Sequence, residues 1–186
     1  MAEWQGKTDE ELISQLQKGD VEAFAILYAR YRKRLYNFIL RLLGDRYLVE
    51  ELFQETMLRL YLHRRSYRPE ATIRTWLYSI ARHLCLNLLG SKKVDRLAPG
   101  PPPLHLQADP SPNPEQRLEL VEREEVVRQA ILSLPLTQRE VIILTRFEGL
   151  SYQEVAQILS KSESAVRVMA HRALLTLKEY FRTREE

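Results

Sequence analysis

The chain has 186 residues, of which 28 are Lys or Arg and 25 are Asp or Glu, giving a formal net charge of +3. With 45% hydrophobic and 28% charged residues it can pack one or two domains, and this composition excludes a collagen, a disordered tail and a disulfide scaffold. The lone Cys85 excludes an internal disulfide. No apolar run approaches the ~20 residues of a membrane span and the acidic N-terminus does not resemble a signal peptide, so we expect a cytoplasmic protein.

The N-terminal part of the chain predicts helices only. A capping box that begins at Thr8 marks the start of the first helix. Apolar residues recur at three- and four-residue steps over 24–42, 49–60 and 73–88, which predicts three more helices. No stretch alternates apolar and polar residues as a strand does. We therefore expect an all-α protein whose first domain, residues 1–92, is a bundle of about four helices.

A proline-rich segment divides the chain. Seven of the nine prolines fall between residues 99 and 114, and proline both removes a backbone donor and restricts the residue before it. This composition predicts an extended, semi-rigid linker over 93–113. It leaves a second domain at 114–186.

The second domain also predicts helices, near 115–133, 137–147, 151–159 and 163–181. Capping boxes at Thr137 and Ser151 mark two of the starts. The last two helices are joined by the short polar turn 159–162, which is the layout of a helix-turn-helix motif. We therefore expect all-α architecture in both domains.

The last helix has two faces of different chemistry at about 100° per residue. One face is apolar and is expected to pack in the core: Val166, Met169, Ala170, Ala173, Leu174 and Leu177. The opposite face is polar and basic, with one small apolar residue: Ser164, Arg167, Val168, His171 and Arg172. Arginine reads guanine edges in the major groove and valine can contact a thymine methyl, although an ordinary solvated basic helix would show the same pattern.

Basic charge is concentrated in two segments. Residues 59–96 hold nine Lys or Arg against two acids, a local charge of +7, and residues 161–184 hold six against two, a local charge of +4. Between them, residues 115–125 hold five acids against two bases, a local charge of −3. Two separated basic segments suggest two contacts with a polyanion, although charge runs taken alone are more often solvated helix faces.

Five sequence blocks resemble one known family. They are AFAILYARYRKRLYNFILRLLGD, ELFQETMLRLY and YRPEATIRTWLYSIARHLCLNLL in the first domain, and LPLTQREVIILTRFEGLSYQEVAQILS and AVRVMAHRALLTLK in the second. In this order, around a proline-rich linker, they resemble the extracytoplasmic-function (ECF) class of bacterial RNA polymerase sigma factors. The resemblance implies that the first domain binds core RNA polymerase and the melted minus-ten element, and that the second binds the duplex minus-thirty-five element. It also implies an anti-sigma factor as a partner.

The resemblance implies three groups of site residues. The polymerase contact would be made by Glu51, Gln54 and Glu55. The melted strand would meet Tyr67, Arg68, Arg74, Trp76, Tyr78, Arg82 and His83, which combine cationic groups with flat rings, although Trp76 and Tyr78 are equally suited to a core. Duplex DNA would meet Tyr152 and Gln153 at a helix N-terminus, together with the last-helix residues Ser164, Arg167, Val168, His171 and Arg172.

Some positions depart from the family pattern. Ser160 stands where the family commonly has glycine, Met169 where it has a second arginine, and His83 where it often has asparagine. These departures predict a promoter sequence other than the commonest one.

Two other classes of function are alternatives. A two-domain helix-turn-helix regulator would bind duplex DNA without polymerase, but its sensor bundle would need a pocket rather than arginines beside aromatic rings. A nucleic-acid enzyme would need a catalytic or metal constellation, and the four histidines and Cys85 are not spaced as metal ligands. We therefore expect no catalytic residue, no metal site and no cofactor.

Overall fold

A computed structural model describes residues 6–91 and 114–185. Within these ranges every regular element is a helix, as predicted. The predicted linker at 93–113 lies outside the described residues. The helices form two bundles, one on each side of that segment.

The N-terminal bundle contains four α-helices, in agreement with the prediction. They are α1 (Asp9–Gln17), α2 (Val21–Leu43), α3 (Arg46–His63) and α4 (Ile73–Gly90), with a short 3₁₀ turn at Arg64–Ser66. The predicted capping box at Thr8 is present, and the side chains of Asp20, Asp45 and Thr72 accept hydrogen bonds from the first-turn N–H groups of the next three helices. The apolar stripes of the helices meet in a core that includes Phe38 and Phe53.

The C-terminal bundle contains the helix-turn-helix motif. Its elements are α5 (Pro114–Ser133), α6 (Leu136–Ile142) with a π-helical turn at Ile143–Phe147, α7 (Tyr152–Leu159) and α8 (Glu163–Glu185). The predicted capping box at Ser151 is present. The capping box predicted at Thr137 is wrong. Helix α6 already begins at Leu136, after Pro135, so Thr137 lies inside the helix rather than at its cap. The Glu140 side chain pairs with Arg82 instead.

The face of α8 follows the predicted pattern with one exception. Val166, Ala170 and Ala173 are buried, but Leu174 is 40% exposed. Leu174 lies about 100° around the helix from Ala173, at the edge of the apolar stripe. The polar face of α8 stays open.

The turn between α7 and α8 depends on a strained residue. Ser160 ends α7 in the left-handed conformation (φ 52°, ψ 49°) and is the only non-glycine residue with positive φ in the described ranges. This conformation costs an L-residue ~1–2 kcal/mol, which explains why glycine suits the position.

Ser160→Gly should therefore stabilise the protein by about 0.5–1 kcal/mol, since relief of the strain exceeds the extra entropy that glycine gives the unfolded chain. Urea unfolding followed by circular dichroism measures this gain. Ser160→Ala is the control, because it keeps the Cβ atom and should give no gain. A glycine variant no more stable than the alanine variant would contradict the strain argument.

The two bundles pack against each other. Helix α4 contacts α7, and α2 contacts both α5 and the π-helical turn, so buried residues from both bundles belong to one continuous apolar cluster. At Gly44, which ends α2 with φ 76°, an added Cβ would lie 2.9 Å from Leu132 Cδ1. Leu132 of α5 therefore packs directly against the end of α2.

Candidate nucleic-acid interface

Helix α8 presents the five predicted duplex-contacting side chains to solvent. Ser164, Arg167, Val168, His171 and Arg172 are all exposed, and Val168 is 50% accessible. The exposure of these side chains follows from the helical period, since the opposite face of α8 packs in the core through Val166, Ala170 and Ala173. A helix with this free face and a helix-turn-helix partner has the geometry to enter a major groove.

Arg167 is held in place before any ligand binds. Its guanidinium donates to Glu163 Oε1 at 2.5 Å and lies 4.7 Å from the centroid of the Tyr152 ring. The arginine side chain is nevertheless 60% exposed. Stacking of this kind limits the rotamers of the arginine without hiding its hydrogen-bond donors.

Tyr152 and Gln153 lie in the first turn of α7, as predicted. Gln153 is exposed, whereas Tyr152 is half-buried beneath Arg167. The adjoining Ser151–Glu154 capping box satisfies the Glu154 and Ser151 N–H groups. The remaining first-turn N–H groups and Gln153 are therefore the groups left to meet a phosphate at this helix start.

Tyr67 and Trp76 form an aromatic pair beside the loop that precedes α4. The Tyr67 ring is buried, and its hydroxyl donates to the Ala71 carbonyl at 2.7 Å. Trp76 is half-buried, with its ring centroid 5.3 Å from that of Tyr67 at an interplanar angle of 39°. Of this pair of rings, Trp76 is therefore the one with accessible surface.

Tyr78 lies in the core rather than on the surface. It is fully buried, packs edge-on against Phe38 with ring centroids 5.1 Å apart, and donates its hydroxyl to Glu148 Oε2 at 2.5 Å. Burial and the neighbouring carboxylate raise the pKa of this phenol. In this arrangement of the bundles Tyr78 cannot stack on a base.

The guanidinium groups of Arg74 and Arg82 donate hydrogen bonds to the C-terminal bundle. Arg74 donates to the Glu148 carbonyl, and its Nε is buried without a partner. Arg82 Nε donates to Glu140 Oε1 at 2.7 Å. Burial raises the pKa of the Glu140 carboxyl, although the Arg82 charge opposes that shift. These guanidinium groups are therefore engaged by protein rather than open to DNA.

Arg68 and His83 remain exposed on the N-terminal bundle. Arg68 contacts only nearby backbone carbonyls, at 3.4 Å. The seven residues predicted to meet the melted strand thus divide into accessible side chains, core rings and arginines that face the other bundle.

The three residues predicted to contact polymerase share the outer face of α3. Glu51 and Gln54 are exposed, and Glu55 is half-buried and paired with Arg59 at 2.7 Å. Gln54 donates to Glu50 at 3.1 Å, which keeps its amide on the same face.

An apolar groove that the sequence analysis missed runs beside this face. The groove has a volume of about 400 Å³. Its lining includes Leu58 of α3, which is half-exposed and lies outside the buried stripe of that helix. Leu58 lies one turn beyond Gln54, so the groove and the polar face are continuous. The lining residues are Val21, Phe24, Tyr28, Gln54, Met57, Leu58 and Tyr61.

Cys85 is fully buried in α4, and burial raises the pKa of its thiol to about 12. At pH 8 the thiolate should therefore be on the order of 1,000-fold scarcer than in the unfolded chain. We expect a disulfide reagent to modify Cys85 slowly in the folded protein and rapidly in urea. Equal rates under the two conditions would contradict this burial.

Residues 6–91 and 114–185 hold no cluster of three or more His, Cys, Asp or Glu side chains suited to a metal ion. Within the same ranges no helix is long and apolar enough to cross a membrane.

Comparison with known proteins identifies the family. The model for Sigma-70 region 2 matches residues 27–94, and that for Sigma-70, region 4 matches residues 124–177. The chain is 33% identical over 161 residues to RNA polymerase sigma factor YlaC of Bacillus subtilis (strain 168), covering 86% of this chain and 93% of the relative. It is 30% identical over 177 residues to ECF RNA polymerase sigma factor SigW of the same organism, covering 91% and 95%.

A solved structure agrees with these matches. CnrH, in complex with the cytosolic domain of CnrY, superposes with a TM-score of 0.73 and 25% identity over 94% of this chain and 97% of that chain. A regulator that acts without polymerase is not favoured, because both matched regions are sigma-factor regions. The chain therefore belongs to the ECF class of the sigma-70 family, the RNA polymerase sigma factors that direct promoter recognition and transcription initiation.

Proposed function

We propose that residues 1–92 bind core RNA polymerase and the melted minus-ten element, and that residues 114–186 bind the duplex minus-thirty-five element, with 93–113 as the linker. The observation that carries the second assignment is the exposed face of α8 with its pre-oriented Arg167. The protein itself supplies no catalytic group, and it acts in the cytoplasm, where the polymerase is.

On duplex DNA, the side chains of α8 would read base edges while α7 positions the motif. Arg167 and Arg172 are suited to guanine edges or phosphates, and Val168 to a thymine methyl. Ser164 and His171 offer shorter hydrogen-bonding groups on the same face. The Tyr152 ring packs against the Arg167 guanidinium, and Gln153 would contact the phosphate backbone.

On the melted strand, Trp76 would supply the stacking surface and Arg68 with His83 the exposed polar track. Arg74 and Arg82 would join this track when the C-terminal bundle moves away from α4. Tyr67 and Tyr78 would act mainly by supporting the Trp76 region from the core, since both rings are buried.

On polymerase, the acidic outer face of α3 would meet a basic clamp surface through Glu51, Gln54 and Glu55. The apolar groove beside Leu58 would add a desolvated contact, and desolvated apolar pockets are where binding energy concentrates.

The polymerase assignment is tested by charge reversal. Glu51→Lys combined with Glu55→Lys should lower the affinity for core polymerase in a salt-sensitive manner, because charges at the rim of an interface act largely through the association rate. Helical content should stay unchanged. Glu10→Lys with Glu179→Lys adds the same charge at exposed sites elsewhere and should retain binding. Undiminished binding of the first pair would reject the assignment.

We also propose that a partner protein of the anti-sigma class binds this chain. The support is that CnrH, similar over nearly the whole chain, is bound by the cytosolic domain of CnrY. Co-purification of a single partner that blocks polymerase binding would support this proposal.

A further inference from the structure

An acidic side chain stands beside the arginine that is proposed to read the duplex. Glu163 is the first residue of α8, and Arg167 lies one turn later on the same side of the helix. The Glu163 Oε1 atom accepts a hydrogen bond from Arg167 Nη2 at 2.5 Å. The two side chains are 45% and 60% exposed, and an ion pair at such exposure adds little to stability. Its effect lies instead in what the guanidinium can bind.

The ion pair leaves Arg167 able to bond a base edge. Arginine carries five N–H donors, and a bidentate contact to guanine O6 and N7 uses two of them. Glu163 accepts from Nη2, and the Tyr152 ring lies over the guanidinium with its centroid 4.7 Å from Cζ, where it occupies no donor. Both neighbours can therefore stay in place while Arg167 reads a guanine.

The same carboxylate opposes a phosphate at this position. A guanine edge is neutral, whereas each phosphate carries a negative charge. Two anionic groups that share one guanidinium lie closer together than the Debye length of ~8 Å at physiological ionic strength, so salt screens their repulsion only in part. Glu163 therefore penalises a phosphate acceptor on Arg167 and leaves a base acceptor unaffected.

The start of α8 offers a phosphate little else. Helix N-termini attract anions through their free first-turn N–H groups, but the Ser162 hydroxyl already accepts from the Ala165 N–H at 3.2 Å. The Ser162 and Ser164 hydroxyl groups bond each other at 3.0 Å. Glu163 adds its carboxylate to the same turn, where the helix dipole favours negative charge. The protein thus supplies its own anion at this end of the helix.

Arg172 on the same helix is placed differently. It is exposed, and it forms no ion pair with an acid of residues 6–91 and 114–185. No paired carboxylate therefore opposes a phosphate there, and an exposed arginine of this kind suits the sequence-independent contact to the DNA backbone.

We propose that Glu163 is a specificity-determining residue, which holds Arg167 for a guanine edge and repels phosphate, so that Arg167 reads bases while Arg172 binds the backbone. The proposal rests on the proposed binding of the minus-thirty-five element by the second domain. Discrimination is a difference between two affinities, and a repulsive group can lower the unwanted one. Loss of Glu163 should therefore act chiefly by tightening the binding of wrong sequences.

Binding of the holoenzyme to two duplexes tests the proposal. They share the minus-ten element, and one carries the matched minus-thirty-five element whereas the other carries the same bases in scrambled order. Glu163→Gln removes the charge and keeps the size. It should tighten binding to the scrambled duplex by about 3- to 10-fold and steepen the slope of log affinity against log salt by about 0.9, as for one more neutralised phosphate. Discrimination between the duplexes should fall by a similar factor.

Glu179→Gln is the matched control, because Glu179 forms an exposed ion pair with Arg182 at 2.6 Å on the same helix and loses the same charge. It lies roughly 24 Å along α8 from Glu163 at ~1.5 Å per residue and should leave both affinities unchanged. Glu163→Asp, which keeps the charge, should retain most of the discrimination. Arg172→Ala should weaken binding to the two duplexes equally and make the salt slope shallower.

A folded Glu163→Gln variant with the discrimination and salt slope of the wild type would overturn the proposal. So would a loss of affinity in that variant that is equal on the two duplexes, or an Arg172→Ala variant that loses discrimination. Failure of the underlying assignment is distinguishable, since the wild-type holoenzyme would then bind the matched and scrambled duplexes alike.

Discussion

Trp76→Ala should leave the closed promoter complex nearly intact and reduce the open complex by roughly 5- to 150-fold, the equivalent of one stacked base at ~1–3 kcal/mol. The reason is that Trp76 keeps accessible surface above the Tyr67 ring, and bases become available for stacking only after they unpair. Permanganate reactivity of minus-ten thymines measures the loss. A template already mismatched across the bubble should recover much of the activity, because the cost of unpairing has been removed.

Trp76→Phe is the matched variant for this prediction, since it keeps a flat ring of similar placement and should retain most of the open complex. A purely structural tryptophan would behave differently. Its loss would cost ~3–5 kcal/mol of stability, so the alanine variant would melt early and fail equally on duplex and mismatched templates. That pair of results would reject the role in strand opening.

Arg167→Ala should weaken binding to the minus-thirty-five element by ~1–3 kcal/mol and relax the base preference at one position, as expected for a bidentate guanine contact. The side chain is exposed but held between Glu163 and Tyr152, so it binds with little loss of rotamer freedom. Footprinting of the holoenzyme on matched and single-base-changed promoters measures both effects.

Arg182→Ala is the control for this substitution, because Arg182 lies on the same helix, is 66% exposed and pairs with Glu179 in a similar way. It should leave base preference unchanged. Weakening by Arg167→Ala that is equal on every sequence would instead assign Arg167 to a phosphate and contradict base reading.

Local sequence patterns predicted the helices and the exposed face of α8 well. Helical periodicity places Val166 and Ala170 in the core and therefore turns Arg167 outward. The positions of the helices and the exposed face of α8 both depend on residues within two turns of one another, and the sequence shows such short-range patterns directly.

The environment of the strand-opening segment could not be predicted in the same way. Tyr78 is bonded to Glu148, 70 positions later, and Arg82 to Glu140, 58 positions later. Such contacts depend on how two bundles pack, and no local pattern encodes them. Glu140 illustrates the conflict, since its spacing from Thr137 indicated a helix cap whereas tertiary packing assigns it to an ion pair.

In vitro transcription with core polymerase on a genomic DNA library tests the assignment of function most directly. With the chain present, mapped 5′ ends should share one pair of sequence elements at the minus-ten and minus-thirty-five positions, and these starts should vanish when either chain or core is omitted. Specific protection of duplex DNA by the chain alone, with no start that depends on core polymerase, would contradict a sigma factor and leave a regulator that acts without polymerase.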